Sequence, residues 1–520
     1  MDVRAIERQR VELQANCDRQ RSQADRNKLG QFATPFELAR EIAATTISLV
    51  GGKSIRFLDP AFGTGAFFSA LLDVAGDRIE SAMAFEVDPH YGTPALCLWN
   101  STGLKLRVED FTRASVDQSH ANLVICNPPY VRHHHLSVAK KAALRRTSHA
   151  LGVKLNGLAG LYCYFMIFAH QWLEADAVCA WLVPSEFMDV NYGEAIKHYL
   201  LNTVTLVRIH RFDPNETQFS DALVSSAVVW FKNQKPDPTA LVSMTFGGTV
   251  TGPRISRDIT LTEMHSEAKW TRLPEILHHA RDRAPGVRLG DLFAIKRGIA
   301  TGNNQFFILT EGQVTELGLT QAFLKPILPS PRYLKQDEIE GDKDGAPTLD
   351  RRLFLIDCAL SESEVEKIDP GLGRYLKSGR HTVAQGYLCK SRSPWYAQER
   401  RPPAPFLCTY MGRTNESGKN AFRFILNRSK ATAANVYLLL YPKPAIRAAL
   451  EDDRVLRRVF QLLKSIPVMD MSTEGRVYGG GLHKLEPGEL SNVRADHVGN
   501  LLLGENSRPR GEQMTFSLVG

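Results

Sequence analysis

The chain has 520 residues, 43% of them hydrophobic and 23% charged, with a net charge of +8 and a pI near 9.0. That length holds two or more domains with full cores. The absence of any long apolar run, repeat or low-complexity tract excludes a membrane-spanning, solenoid or disordered chain. The excess of Lys and Arg (64) over Asp and Glu (56) suits a polyanionic partner. Eight scattered cysteines, none at Cys-x-x-Cys spacing, argue against a disulfide framework or zinc site and for a reducing cytoplasm. The first thirty residues are rich in Arg, Gln and Asp and do not read as a secretory leader.

Residues 1–27 read as a polar leading helix. Thr34 followed by Pro35, with Glu37 three residues on, resembles a capping box and predicts a helix to about Leu49. The run Ser54–Leu58 predicts a strand that ends in Asp59-Pro60-Ala61-Phe62-Gly63-Thr64-Gly65 and an apolar helix. Strand, glycine loop and helix open a nucleotide-type binding unit. The spacing is neither Gly-x-Gly-x-x-Gly nor a Walker loop, so no dinucleotide or phosphate-loop site is expected. A second strand, Ala82–Phe85, ends at Glu86-Val87-Asp88. Glu86 is placed to hold a ribose hydroxyl pair, with Asp88 as competitor or helix N-cap. A third strand, Leu104–Val108, ends at Glu109-Asp110-Phe111, where Asp110 can accept from an adenine amino group beside the Phe111 ring.

The fourth strand, Leu123–Cys126, runs into Asn127-Pro128-Pro129-Tyr130. Neither proline donates a backbone hydrogen bond, so the strand cannot continue. The stiff loop offers the Asn127 side-chain oxygen, the Pro128 carbonyl and the Tyr130 ring. Two acceptors facing the N–H groups of a nucleobase amine would orient its lone pair toward an electrophile. Tyr130 can stack on the base.

Arg132-His133-His134-His135 follows and reads as a solvated loop near phosphates rather than a metal site. Leu161–Leu173 predicts an aromatic-rich helix, Val178–Val183 a fifth strand, and Val204–Phe212 with Val224–Phe231 a last strand pair. After about residue 232 the βα alternation is lost. The expected division is 1–245 catalytic, 246–285 connecting and 286–520 an α+β domain. Basic residues interleaved with small and aromatic ones mark the last part as a nucleic-acid surface, with Lys296, Arg297, Asn303, Asn304 and Arg413 as candidate contacts alongside Arg132.

The order Thr34-Pro35, Asp59-Pro60-Ala61-Phe62-Gly63-Thr64-Gly65, Glu86, Asp110, Asn127-Pro128-Pro129-Tyr130 resembles the gamma-class adenine-N(6) DNA methyltransferases of restriction–modification systems. The resemblance covers about residues 28–232, and less specifically extends to a C-terminal target-recognition domain. It implies an α/β fold: a Rossmann-like, mostly parallel methyltransferase sheet with a terminal antiparallel hairpin. It implies S-adenosylmethionine as cofactor, with the methionine end near Thr34 and the loop residues Asp59, Ala61, Gly63 and Gly65, the ribose on Glu86, and the adenine beside Asp110 and Phe111. A target adenine would be flipped out of duplex DNA, its amine held by Asn127 and Pro128 and its rings by Tyr130 and Phe219, with Phe212 the poorer candidate for the second aromatic. No metal is required by a direct displacement at a sulfonium methyl.

The alternatives are an amino-methyltransferase acting on RNA adenine or protein glutamine, or a silent DNA-binding module. The large basic second half disfavours the glutamine reading, and the intact proline loop disfavours a silent binder. A monomer acting beside a separate cognate endonuclease is expected. A fused nuclease is not, because the motif order begins close to the N-terminus.

Overall fold

A computed structural model describes residues 2–504 apart from 117–119, 215, 217, 219–224, 279–285, 414–420 and 479–480. The chain divides into two compact units, Met1–His279 with Tyr478–Gly480 and Ala280–Val477 with Gly481–Gly520.

The first unit is built on a nine-stranded sheet: β1 (Ile55–Asp59), β2 (Ile79–Phe85), β3 (Leu104–Arg107), β4 (Ala121–Cys126), β5 (Leu173–Pro184), β6 (Thr205–Arg211), β7 (Ser226–Lys232), β8 (Leu241–Gly248) and β9 (Pro253–Thr260). Their spatial order is 3-2-1-4-5-7-6-8-9. Strands β1 to β5 are parallel, and β7 enters antiparallel between β5 and β6. The mostly parallel sheet with its antiparallel hairpin is thus present, and two further strands extend it. Pro253–Thr260 falls in the stretch expected as a connection. Its polar alternation, Arg254, Ser256 and Asp258 between Ile255 and Ile259, is that of an edge strand solvated on one face.

All six residues of β4 are buried, as a central parallel strand covered on both faces requires. Its side chains alternate between two cores. Leu123 and Ile125 join Phe57, Ala180 and Leu182 under helix α3 (Phe36–Val50) and helix α4 (Ala66–Ala75). Val124 and Cys126 join Leu58, Trp181 and the aromatic helix Leu161–Ala169 on the other face. That helix is shorter than the sequence implies: it gives way to a 3-10 turn at His170–Trp172, and β5 begins at Leu173.

From β1 the chain builds outward to β2 and β3, then returns to place β4 on the other side of β1. The strand order reverses between β1 and β4, and the crevice outside their C-terminal ends is where an open α/β sheet takes ligand.

The second unit contains a five-stranded sheet in the order Phe293–Arg297, Tyr437–Pro442, Phe406–Thr409, Phe424–Asn427, Glu338–Ile339, antiparallel except for its last pair. It also holds the three-stranded sheet of Ile308–Thr310, Leu353–Ile356 and Leu324–Pro326. Among the described residues no helix is long and apolar enough to cross a membrane.

Candidate active site

A cavity of about 350 Å³ opens at the C-terminal ends of β1, β2, β3 and β4. That volume lies within the range of small-molecule and cofactor sites. Ala61 and Gly63 line it from the loop after β1, Glu86 from the end of β2, Glu109 and Phe111 from the loop after β3, and Asn127 and Pro129 from the loop after β4.

Asn127 is held from one side. Its Nδ2 donates to the Phe32 carbonyl at 3.1 Å and to Thr34 Oγ1 at 3.0 Å. The Phe32 carbonyl can only accept, so the amide nitrogen must face it, and this fixes the flip of the side chain. Oδ1 therefore points the other way. It is buried and has no hydrogen-bond partner among the described residues. A buried acceptor left so costs about 1–3 kcal/mol.

The Thr34 bond accompanies a departure from the sequence expectation. Helix α3 is capped by Pro35 with no side-chain cap bond, so the capping box does not form. The helix begins at Phe36 with Pro35 as its N-cap, which leaves Thr34 one residue too early to cap it, and the Thr34 hydroxyl takes the Asn127 amide.

The segment carrying Phe32 and Thr34 is clamped to the proline loop through Gly30. Helix α1 (Val3–Arg19) and helix α2 (Gln23–Leu29) precede it, and Gly30 ends α2 with φ 67°. The Tyr130 N–H donates to the Gly30 carbonyl at 3.2 Å. A Cβ at Gly30 would lie 2.4 Å from the Tyr130 nitrogen.

Tyr130 itself is 8% exposed. Its ring lies 5.5 Å from that of Phe32, its hydroxyl donates to the Leu182 carbonyl at 3.1 Å, and burial holds the phenol well above its ordinary pKa. Phe32 lines the cavity, whereas Tyr130 is not among its lining residues.

Glu86 is buried, its two oxygens accepting from the backbone N–H groups of Gly63 and Asp88, each at 2.8 Å. Burial outweighs those bonds and raises its pKa. Asp88 caps helix α5 (Pro89–Trp99) through His90 N and binds Arg21 and Gln31. Burial pushes Asp88 up, but the bonds from Arg21 and Gln31 outweigh it and hold the carboxyl below its usual range. Both acids reach the cavity, and Asp88 is the more heavily engaged.

Asp110 does not line it. It caps the 3-10 turn Phe111–Arg113, accepts from Thr112 and pairs with Lys140 at 3.1 Å. Successive side chains on an extended segment face opposite ways, so Glu109 and Phe111 reach the cavity and Asp110 turns outward.

Asp59 sits beneath the loop, 1% exposed, its Oδ1 taking the Ala61 N–H at 3.0 Å. Burial pushes it up to about 7. Gly65 faces packing rather than the cavity: a Cβ there would be 2.5 Å from the Phe62 ring and 2.7 Å from Trp99 Nε1.

Helix α1, read from sequence only as a polar leading helix, supplies Gln14 and Asp18 to the wall. It is anchored by a buried bidentate pair. Arg10 donates to both oxygens of Glu7 at 2.7 and 2.8 Å and to Thr64 Oγ1 at 3.2 Å. Thr64 in turn donates to Gln14 at 2.7 Å. The i, i+3 pair Glu7/Arg10 was the legible signal, since a buried face of a polar helix needs paired charges.

Phe219 lies outside the described residues. Phe212 is packed in the core against His210, 4.6 Å between ring centres. Arg132 is exposed at the start of the His133–His135 turn. Among the described residues no three metal-ligating side chains stand together.

In the second unit Lys296 and Arg297 end a strand, rather than lying on a loop, and both are exposed. Arg297 covers the Tyr410 ring at 4.0 Å. Asn303 caps a helical turn and Asn304 accepts from Thr301. Arg413 is exposed at the end of the strand Met411–Arg413.

Two family models match the chain: "Eco57I restriction-modification methylase" over residues 98–219 and "Type II methyltransferase M.Eco57I, C-terminal domain" over 270–502. The Type II methyltransferase M.AccI of Acinetobacter calcoaceticus is 26% identical over 487 residues, 90% of this chain and 85% of the relative. M.XamI of Xanthomonas campestris pv. amaranthicola is 27% identical over 486 residues, 91% and 86%. Among solved structures, the Type IIL restriction-modification enzyme MmeI in complex with DNA superposes with a TM-score of 0.51 at 11% identity, over 90% of this chain but 64% of its own. That last likeness is one of fold.

Proposed function

The chain belongs to the Eco57I-type restriction–modification DNA methyltransferases, which use S-adenosylmethionine, and we propose that it methylates the exocyclic amine of an adenine flipped out of duplex DNA. The observation that carries this reading is the orphaned Asn127 Oδ1 at the cavity wall.

The residues present fit the cofactor. Glu86 offers two carboxylate oxygens to a ribose, and Phe111 with Phe165, 5.5 Å apart, offers an apolar wall to a purine. The acidic residues Asp18, Glu86, Asp88 and Glu109 suit a cationic ligand. When bound, the cofactor supplies an electrophilic sulfonium methyl.

Asn127 Oδ1 and the Pro128 carbonyl accept the two amine N–H bonds, which turns the nitrogen lone pair out of conjugation and stabilises positive charge developing on it. The Phe32 and Thr34 acceptors keep the amide from rotating. Tyr130 and Phe219 are assigned to the flipped base, and for Tyr130 this requires the ring to turn from its seat beside Phe32. Arg132, Lys296, Arg297 and Arg413 are assigned to DNA phosphates, with Asn303 and Asn304 shaping the turn beside them. A cognate endonuclease acting separately completes the proposed system.

The test is transfer of labelled methyl to genomic DNA from a methylation-deficient host, followed by nucleoside mass spectrometry. N6-methyladenine is expected from the wild type, and a rate lower by about 10²–10³ from Asn127→Ala. Methyl on cytosine, or equal rates from the two proteins, overturns the reading. Parallel arms with RNA and a glutamine peptide discriminate the other acceptors.

A further inference from the structure

We propose that Thr34 is a positioning residue for methyl transfer, acting through Asn127 rather than by holding the cofactor. The inference rests on the assignment of Asn127 to the target amine. Thr34 is 7% exposed, and its Oγ1 is one of only two acceptors that Asn127 Nδ2 finds among the described residues. The other, the Phe32 carbonyl, belongs to the same short segment. Each amide proton is thus matched to one acceptor, and the plane of the amide is set by two points rather than one. Remove the hydroxyl, and a single bond to Phe32 leaves the amide free to swing about it. The freed Nδ2 proton would then compete to face the substrate nitrogen, a donor where the reaction needs an acceptor.

The position also has no capping role. A threonine ahead of Pro35 with Glu37 three residues later is set up to cap α3, yet the helix has no side-chain cap bond. A cap of this kind is ordinarily stabilising. Here Pro35 occupies the N-cap position, and the Thr34 hydroxyl serves Asn127, 93 residues away in sequence.

Three variants of the full chain test this. Thr34→Val keeps the shape and removes the acceptor, Thr34→Ser restores it, and Asn127→Ala removes the group acted upon. Two quantities are read: the dissociation constant of S-adenosylmethionine by calorimetry, and the single-turnover rate on unmethylated genomic DNA at saturating cofactor. Misplacing a reacting group by about 1 Å costs on the order of 10² in rate. Thr34→Val is therefore expected to lose about that factor with cofactor affinity within twofold of wild type, and Thr34→Ser to recover most of it. In the Asn127→Ala background, Thr34→Val should cost nothing further. A Thr34→Val protein that binds the cofactor tenfold more weakly yet turns over normally once saturated would show a cofactor contact instead and overturn the proposal. A Thr34→Val protein indistinguishable from wild type overturns it too. An active Asn127→Ala would sink the underlying functional reading, whereas an inactive Asn127→Ala beside a normal Thr34→Val sinks this inference alone.

A separate observation in the second unit points to a DNA-facing tip around Tyr387. From Pro370 to Gln398 there is no Asp or Glu, while Arg374, Lys377, Arg380, Lys390 and Arg392 are all present. Tyr387, at the start of the helical turn Tyr387–Lys390, is 88% exposed. The turn is braced from beneath. Gly302, at φ +91°, leaves no room for a Cβ, which would be 2.9 Å from Cys389 Sγ, and Arg392 donates to the carbonyls of Ala300 and Thr301. Lys377 and Arg380 are paired with Glu366 and Glu362, which leaves the bare Tyr387 ring beside the exposed Lys390 to offer stacking and charge to a nucleic acid together. Tyr387→Ala is expected to weaken binding to sonicated genomic DNA about tenfold by fluorescence anisotropy with the salt slope unchanged. Lys390→Ala should flatten that slope by about one. Wild-type affinity in both variants, with cofactor binding intact, overturns the assignment.

Discussion

Gly30 is a position at which a single methyl group should displace the proline loop directly. It ends α2 in the left-handed region, and its carbonyl takes the Tyr130 N–H. A Cβ added there falls 2.4 Å from the Tyr130 nitrogen, 2.7 Å from its carbonyl carbon and 2.8 Å from the Val131 nitrogen. Comfortable non-bonded separation is about 3.5 Å, so the proline loop has to retreat by about 1 Å, because the obstructing atoms are all backbone. Left-handed backbone adds about 1–2 kcal/mol for alanine, and overpacking about 1–3 kcal/mol. Gly30→Ala is therefore expected to destabilise the fold by about 2–5 kcal/mol. Because the retreating loop carries Asn127, the single-turnover rate at saturating cofactor should fall on the order of 10². Thermal unfolding and single-turnover methylation measure the two effects on the same preparation. A Gly30→Ala protein that melts and reacts like wild type would refute the claim that this contact fixes the loop.

Other variants probe the walls. Arg10→Met leaves Glu7, 8% exposed, buried without its counter-charge, and should lose about 3–5 kcal/mol in denaturant titration. The double variant Glu7→Leu/Arg10→Met should recover most of that loss, and equal stability of the single variant and wild type would rule the pair out as the anchor of α1. Glu86→Gln should weaken S-adenosylmethionine binding about tenfold by calorimetry, and unchanged affinity would remove Glu86 from the ribose. Asp59 titrates near 7 when folded against an ordinary value of 3.8, so its contribution to stability is full below about pH 4 and is lost as pH rises through 7. The melting temperature of Asp59→Asn relative to wild type should therefore climb from pH 5 to pH 8. A constant difference would contradict the raised pKa.

What the sequence disclosed and what it withheld follow from the range of the interactions involved. The strands β1 to β7 were legible because each is a short apolar or alternating run bounded by proline, glycine or acidic residues, and the residues at their C-terminal ends fall at one sheet edge by topology alone. Strands β8 and β9 were obscured by Lys235-Pro236-Asp237-Pro238, which reads as a linker, and by a polar edge pattern. Asp110, expected beside the adenine, stands next to the lining residues Glu109 and Phe111 but is engaged by Thr112 and Lys140. Thr34 was read as a helix cap and, by resemblance, as a contact of the cofactor's methionine end, while its partner in the structure, Asn127, lies far along the chain. The covering role of α1 was signalled only by the i, i+3 pair Glu7/Arg10, while its contact with Thr64 is long-range and has no local sign.

The site gathers several polar groups held at an energetic cost. Asp59 and Glu86 are carboxyls held above their ordinary pKa by burial, and Asn127 Oδ1 is a buried acceptor without a donor. All three stand at the C-terminal ends of β1, β2 and β4, beside the reversal of strand order. By contrast, the buried Glu7 is matched by Arg10. Asn127→Leu removes the orphaned acceptor but also the two Nδ2 bonds to Phe32 and Thr34, so the melting temperature should change little while methyl transfer is abolished. A loss of both would mean that the amide is a structural strut rather than an acceptor held ready for substrate.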